Sequence, residues 1–152
     1  MRRAVASCGP SLISDTGAEI ELTHFLYRST ARGDLGQDEV NLIIAKASRR
    51  NHAIGLTGCL HYEDGLFFQW LEGPRTALDK MIQLILADPR HSDIAKLSYG
   101  SSAQRHFPEW AMRPTSRAQG SLMDWVATTD VSTVNRGAYA GAVSAFLVAI
   151  TH

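Results

Sequence analysis

Hydrophobic residues follow two different spacings along the middle of the chain. Residues 22–29 are apolar or aromatic on both faces, which is typical of an inner strand covered on two sides. Val40, Ile43, Ile44 and Ala47 then recur at i, i+3, i+4 and i+7. That spacing predicts an amphipathic helix after the first strand.

Polar residues mark both ends of this predicted helix. Asp38 and Glu39 fall in its first turn, and Arg49 and Arg50 fall in its last, which complements the helix dipole. Asn51 follows directly, and asparagine tolerates the left-handed conformation of a helix cap. We therefore expect the helix to end at Asn51.

A hairpin is predicted next, with strands over residues 55–62 and 66–72. Glu63-Asp64-Gly65 lies between them, and an Asp-Gly pair between apolar runs is a strong hairpin signal because both residues can adopt positive φ. The second strand is apolar apart from Gln69 and the glutamate at its end.

A second helix is predicted to begin near Gly73-Pro74 and to end before Pro89. Strands over residues 94–100 and 107–112 complete the pattern. The order β-α-β-β-α-β-β predicts an α+β, ferredoxin-like fold with a five-stranded mixed sheet and two helices on one face. The core stripe of the second helix consists of Leu78, Met81, Ile82 and Ile85.

The end of the chain is predicted to cover the other face of the sheet. Ser121-x-x-Asp124 resembles a capping box, and a helical stripe follows it. We therefore divide the chain into a flexible arm over residues 1–21, a folded domain over residues 22–114 and a C-terminal helical extension over residues 115–152. The stripe consists of Tyr139, Ala142, Val143, Phe146 and Ile150.

Charge and cysteine content argue against several classes of protein, including nucleic-acid binders, disulfide-rich proteins and zinc proteins. The 15 Lys and Arg residues balance the 15 Asp and Glu residues, so no net field draws the chain to nucleic acid or anionic membranes. Cys8 and Cys59 are too few for a disulfide framework or a zinc site. The apolar residues 138–150 fall short of the ~20 that span a bilayer. We expect a cytoplasmic protein without metal, membrane contact or direct contact with nucleic acid.

Several side chains could carry chemistry. Gln69 is an amide inside an apolar strand and would need partners if buried, since each unpaired group costs ~1–3 kcal/mol, but an edge position facing water is equally open. Tyr27 alone is most simply a core residue and Asn51 a helix cap. Trp110 and Met112 alternate on the predicted last strand, so they are expected to share a face.

Together these residues permit a slot for a planar aromatic ligand. The sheet face that carries Tyr27 and Gln69 would meet the helices that carry Ile43 and Ile85, whose side chains could sandwich a ring. Asn51 could bond the polar edge of that ring, while Gln69 bridges the ring to Tyr27. Periodicity permits this slot without proving it.

Five motifs occur in a fixed order between residue 22 and about residue 113. They are Tyr27-x-Ser29, Asn51-x-x-x-x-Leu56-Thr57-Gly58, Phe67-x-Gln69-x-Leu71-Glu72-Gly73, Asp88-Pro89-Arg90-His91 and Phe107-Pro108-x-Trp110-x-Met112. Each alone is weakly specific. Taken together, in this order and at these spacings, the five motifs resemble those of the BLUF family of flavin photoreceptors.

That resemblance implies noncovalently bound FAD, with FMN or riboflavin as possible substitutes. Tyr27 would donate an electron and a proton to the photoexcited flavin, and Gln69 would be the hydrogen-bond switch. Trp110 and Met112 would relay the change to the C-terminal helices. The cofactor-binding residues implied by the resemblance are Tyr27, Ile43, Asn51, Phe67, Gln69, Ile85, Asp88, Arg90 and His91.

The predicted function is a short, stand-alone blue-light photoreceptor that is not an enzyme. Light would alter its binding to a separate effector protein, and a homodimer or higher homo-oligomer is expected. One alternative is a flavin-free interaction module of the same fold. Another is a small acylphosphatase-like hydrolase, although residues 28–33 match the required anion cradle poorly.

Overall fold

A computed structural model describes residues 12–13, 19–129 and 136–151, with side chains over residues 21–127 and 137–151. It contains seven strands and four helices in these described residues. In chain order they are β1 (Leu12–Ile13), β2 (Glu19–Ile20), β3 (Leu22–Ala31), α1 (Gln37–Ile54), β4 (Thr57–Glu63), β5 (Leu66–Pro74), α2 (Arg75–Ala87), β6 (His91–Ser101), β7 (Arg113–Ser116), α3 (Leu122–Thr129) and α4 (Arg136–Thr151).

The central sheet has the strand order β6-β3-β5-β4-β7. Its neighbours are antiparallel except for β4 and β7, which are parallel, so the sheet is mixed as predicted. The short strands β1 and β2 pair with each other in a separate ribbon. Most of the predicted arm over residues 1–21 lies outside the described residues.

The two faces of the sheet bury two separate hydrophobic clusters. Because side chains alternate along a strand, Phe25 and Tyr27 of β3 join the cluster under α1 and α2, while Leu26 joins the cluster under α3 and α4. Val143 and Phe146 of α4 belong to this second cluster. The C-terminal helices therefore cap the second face, which confirms the predicted fold class. None of the helices in the described residues combines the length and hydrophobicity needed to cross a bilayer.

The turn between β4 and β5 has the predicted geometry. Asp64 and Gly65 adopt φ values of 51° and 79°, and Glu63 pairs with Leu66 across the turn. A turn with two positive φ angles matches the right-handed twist of the flanking strands.

The first helix does not end where we expected. It continues through Asn51 to Ile54, and Gly55 is its cap, with φ at 78°. Glycine adopts this conformation without steric cost, so the helix ends at the first available glycine. Asn51 is only 1% exposed and belongs to the inner face of α1 instead.

The prediction of a last strand over residues 107–112 is also wrong. These residues form a turn in which the Trp110 N–H donates to the Phe107 carbonyl, and strand pairing begins only at Arg113. Pro108 lacks the N–H that a ladder requires, which favours the turn. As a result Trp110 and Met112 do not share a face. Met112 joins the cluster under α1 and α2, whereas Trp110 packs against the other cluster.

A buried carboxylate joins β4 to the start of α3. The Glu63 side chain is fully buried, and its Oε1 accepts bonds from His61 Nε2 at 2.9 Å and from the Leu122 N–H at 2.7 Å. Its Oε2 accepts a bond from Ser121 Oγ at 2.7 Å. Burial acts to raise the pKa of Glu63, but these hydrogen bonds together hold that pKa below its usual value of 4.5.

We expect Glu63→Gln to lower the free energy of unfolding at pH 7 by ~1–3 kcal/mol, because an amide cannot accept from all of these donors. Since the folded-state pKa of Glu63 is lowered, its stabilisation is present above pH 4.5 and is lost as the pH falls through the folded-state pKa. Urea unfolding of the wild type and the variant should therefore converge on acidification.

The control is Asp64→Asn, which changes a neighbouring carboxylate that is 58% exposed. It should alter the unfolding free energy by less than ~0.5 kcal/mol. A difference between wild type and Glu63→Gln that stays constant down to low pH would contradict the stabilising role of the Glu63 carboxylate.

Candidate functional site

A single cleft between α1, α2 and the sheet brings together all nine residues predicted to bind the cofactor. The cleft is open to solvent at one side and encloses about 660 Å³ when that open space is included. The lining residues are Tyr27, Ile43, Lys46, Ala47, Arg50, Asn51, Leu60, Phe67, Gln69, Leu71, Ile85, Asp88, Arg90 and His91.

A tyrosine and a glutamine form the buried floor of this cleft. Tyr27 on β3 and Gln69 on β5 are register partners, and the Tyr27 hydroxyl donates a hydrogen bond to Gln69 Oε1. Gln69 is only 6% exposed, so the alternative of an edge position facing water is wrong. Burial, followed by the nearby negative charge of Asp88, raises the pKa of Tyr27 far above its usual range. Tyr27 is therefore a neutral phenol at physiological pH.

The second polar end of Gln69 has a much weaker partner. Gln69 Nε2 points to the sulfur of Met112, with the two atoms 3.8 Å apart. A thioether is a poor acceptor, so the amide is held firmly through its oxygen and loosely through its nitrogen. This unequal bonding makes Gln69 the side chain of the floor that is easiest to re-orient.

Asn51 presents an unsatisfied oxygen to the cleft. Its Nδ2 donates to the Ala111 carbonyl at 3.0 Å, which fixes the side chain. Its Oδ1 is buried and has no hydrogen-bond partner among the described residues. A buried carbonyl oxygen without a partner costs ~1–3 kcal/mol, so this position favours a ligand that carries an N–H group.

Hydrogen bonds also link the lining residues that lie at and after the end of α2. Arg90 Nε lies 2.9 and 3.1 Å from the two carboxylate oxygens of Asp88, and this bidentate contact lowers the pKa of Asp88. His91 Nε2 donates to the Ile85 carbonyl at 2.7 Å. His91 Nδ1 therefore faces the Ser29 hydroxyl, 2.6 Å away, as its acceptor. These contacts leave the ring of His91 no freedom to turn.

Trp110 and Met112 are the two predicted functional residues that do not line the cleft. The Arg113 guanidinium stacks over the Trp110 ring at 4.6 Å, on the far side of the sheet. Met112 reaches the cleft floor only through Gln69. The predicted relay residues are thus divided between the two faces.

Five lining residues were not among those predicted to bind the cofactor. Lys46, Ala47 and Arg50 follow Ile43 at i+3, i+4 and i+7, so helical spacing alone places them on the same side of α1. Leu60 and Leu71 lie on neighbouring strands, where the sequence offered only apolar patterning as a signal.

Comparison with known families gives this geometry a name. The model of the BLUF family, described as sensors of blue-light using FAD, matches residues 22–113. The chain belongs to the BLUF family. FAD is the cofactor of this family, and the predicted recognition, cofactor and blue-light sensing are confirmed.

Individual relatives agree with this assignment. The chain is 36% identical over 124 residues to photoactivated adenylate cyclase subunit beta of Euglena longa, covering 81% of this chain and 14% of that protein. It is 34% identical over 91 residues to the blue light- and temperature-regulated antirepressor BluF of Escherichia coli K12, covering 60% and 23%. The chain thus spans less than a quarter of the length of these curated relatives.

A solved structure matches over nearly its whole length. The dark-state structure of BlrB, a BLUF protein, superposes with a TM-score of 0.69 at 34% identity, covering 84% of this chain and 98% of that chain. The predicted ferredoxin-like architecture is therefore shared with a BLUF protein of similar size.

The residues of the cleft fit a flavin. A flavin ring carries one imide N–H between two carbonyl groups, and the unpartnered Oδ1 of Asn51 is an acceptor for such a group. Ile43 and Ile85 offer apolar surfaces from α1 and α2 for a planar ring. FAD bound here would supply the absorption of blue light and an electron acceptor.

We expect Asn51→Ala to weaken FAD binding by roughly tenfold, because it removes both an acceptor in the cleft and the bond to Ala111. Titration of the protein with FAD, followed by flavin fluorescence, measures this affinity. Asn41→Ala is the matched control, since Asn41 is exposed on the same helix and bonds only to Gln37. An unchanged affinity in Asn51→Ala would contradict the role of Asn51.

Proposed function

We propose that this chain is a photoreceptor in which excitation of bound FAD re-orients the Gln69 side chain and thereby alters binding to a partner protein. One observation carries this proposal, the buried chain of contacts from Tyr27 through Gln69 to Met112. It joins a redox-active phenol, a reversible amide and a segment that leads to the C-terminal helices.

Tyr27 is suited to donate an electron and a proton. Its raised pKa keeps the proton on the phenol in the dark. Loss of an electron makes a phenol O–H strongly acidic, so the proton then moves along the existing hydrogen bond toward Gln69 Oε1. The electron donor and the first proton acceptor are therefore already in contact.

Gln69 is suited to act as the switch because its amide has a donor end and an acceptor end. A half-turn of the amide would direct Nε2 to the Tyr27 oxygen and would break the contact with Met112, because a thioether sulfur has no hydrogen to donate to Oε1. The Tyr27 hydroxyl would then accept instead of donate. No formal charge changes, so the second arrangement avoids the large cost of creating a charge in a dry site.

Met112 is suited to pass the change onward. It directly precedes β7, and the segment before β7 is attached by the bond from Asn51 to the Ala111 carbonyl and by the Gly58 N–H, which donates to the Trp110 carbonyl at 2.9 Å. A change in the contact between Gln69 and Met112 acts on this lightly attached segment. Through β7 it acts on α3 and on the face that carries Trp110.

We infer that the output is a change in contact with a separate effector protein and that the BLUF domain itself is not a catalyst. The Euglena longa relative is named a photoactivated adenylate cyclase subunit and the Escherichia coli relative an antirepressor, so similar sensors serve different outputs. A homo-oligomer and a cytoplasmic location complete the proposal. The alternative is an interaction module without flavin. The buried Asn51 Oδ1, which has no hydrogen-bond partner among the described residues, argues against that alternative.

The proposed switch predicts that Gln69→Leu abolishes the light-induced spectral change. The wild type, purified in the dark, should show a flavin absorption spectrum that shifts slightly to the red after a blue pulse and recovers thermally. Gln69→Leu should bind flavin but show no red shift, since leucine has no hydrogen-bonding group to exchange.

Gln83→Leu is the matched control because Gln83 is exposed on α2 and does not line the cleft. It should leave the red shift intact. A Gln69→Leu variant that keeps the full shift would refute the switch, and a wild type without flavin after reconstitution would support the flavin-free module.

The proposed relay predicts that Met112→Leu separates the spectral change from the structural one. Leucine has a similar volume but no acceptor for Gln69 Nε2. Light-minus-dark hydrogen exchange over residues 110–116 should change in the wild type and stay flat in Met112→Leu, while both proteins retain the red shift. Equal exchange changes in the two proteins would remove Met112 from the relay.

A further inference from the structure

Three basic side chains line the cleft, and one of them is already neutralised. Arg90 makes a bidentate contact with Asp88, in which Nε and Nη2 reach the carboxylate oxygens at 2.5–3.1 Å. This pair carries no net charge and has little capacity left for another anion. The remaining two, Lys46 and Arg50, both belong to α1.

Lys46 and Arg50 have no counter-ion within the described part of the chain. Neither makes a hydrogen bond or ion pair there, whereas Arg32, Arg75 and Arg117 all contact carboxylates. The two cations are also four residues apart on one helix, a spacing at which like charges destabilise the helix. A concentration of unpaired positive charge is therefore present beside this cleft, in a chain whose formal net charge is zero.

The cleft has a distinct inner end and outer end. Tyr27, Asn51 and Gln69 are buried, with exposed fractions of 4%, 1% and 6%. Lys46 and Arg50 line the same cleft but are exposed to solvent. If the ring of a ligand reaches the buried amides, any part of that ligand that extends to the solvent-exposed lining can contact these two cations.

We propose that Lys46 and Arg50 form an anion-binding pair that makes the cleft select flavins bearing phosphate over riboflavin. This inference rests on the proposed function, because it takes a flavin ring to occupy the inner end. The flavin ring and the ribityl chain are uncharged, so phosphate is the only part of FMN or FAD that such a pair distinguishes. Charge-assisted contacts to phosphate from an ammonium and a guanidinium group supply the discrimination.

The test is a titration of the full-length chain, freed of flavin, with riboflavin, FMN and FAD, followed by flavin fluorescence. In the wild type at low salt we expect FMN and FAD to bind roughly tenfold more tightly than riboflavin. This advantage should shrink as sodium chloride is added, since exposed charges are screened. The double variant Lys46→Gln with Arg50→Gln should lose the advantage, so that its affinities for FMN and FAD fall to its own affinity for riboflavin.

Arg49→Gln is the matched control. Arg49 is an exposed cation on the same helix that does not line the cleft, so its loss removes one charge without touching the site. Arg49→Gln should keep the preference for FMN and FAD. If it loses that preference to the same degree as the double variant, the effect is one of net charge and the proposed site is wrong.

Two outcomes separate this inference from the proposed function. If the wild type binds all three flavins equally and still shows a reversible red shift, the selection of phosphate is refuted and the photoreceptor stands. If none of the flavins binds, the proposed function fails and the inference fails with it. A double variant that weakens all three flavins to the same extent also refutes the pair as a phosphate site.

Discussion

The pairing of β3 with β5 is the constraint on which the rest of the structure depends. Nine register pairs, from Leu22 with Pro74 to Thr30 with Leu66, bring Tyr27 directly opposite Gln69. The same register decides which side chains face the cleft and which face the C-terminal helices. A slip of one residue would exchange the two faces and separate the phenol from the amide. The contact between Tyr27 and Gln69 is thus a consequence of backbone pairing at the centre of the sheet.

The far face of the sheet contributes through buried carboxylates. Glu72 accepts bonds from Trp70 Nε1 and from the N–H of Phe107, and Glu63 accepts the N–H of Leu122. These contacts attach the chain to the sheet on both sides of Met112. The segment between these two anchors includes Met112 and β7 and leads directly into α3. Buried charges of this kind are tolerated because several donors satisfy each of them.

Local pattern was sufficient for most of the fold and failed where a tertiary contact decided the outcome. The Asp64-Gly65 turn follows from residues that adopt positive φ, and the order of helices and strands along the chain follows from the spacing of apolar residues. Asn51 has the properties of a helix cap, yet the helix continues for one more turn and ends at Gly55. The side-chain amide of Asn51 is buried in the interior instead. The turn after Phe107 depends on bonds to Glu72 on another strand, which no local spacing reveals.

The cleft was predictable to a similar extent and for similar reasons. The polar floor and the flanking isoleucines could be placed because strands and helices impose strict periodicities. Helical spacing places Lys46 and Arg50 on the side of α1 that carries Ile43, but that neither has a counter-ion among the described residues is visible only in three dimensions. The opposite orientations of Trp110 and Met112 could not be inferred, because alternation was assumed for a segment that forms a turn instead of a strand.

The contact between Gln69 and the sulfur of Met112 has a consequence for timing. In the proposed switch, light would act through the flavin and Tyr27, and the return to the dark arrangement would depend on how strongly each end of the Gln69 amide is held. The oxygen has a strong partner and the nitrogen a weak one. If Gln69 is the switch, substitutions at residue 112 would change how long the light-adapted state lasts without changing the wavelength that the flavin absorbs.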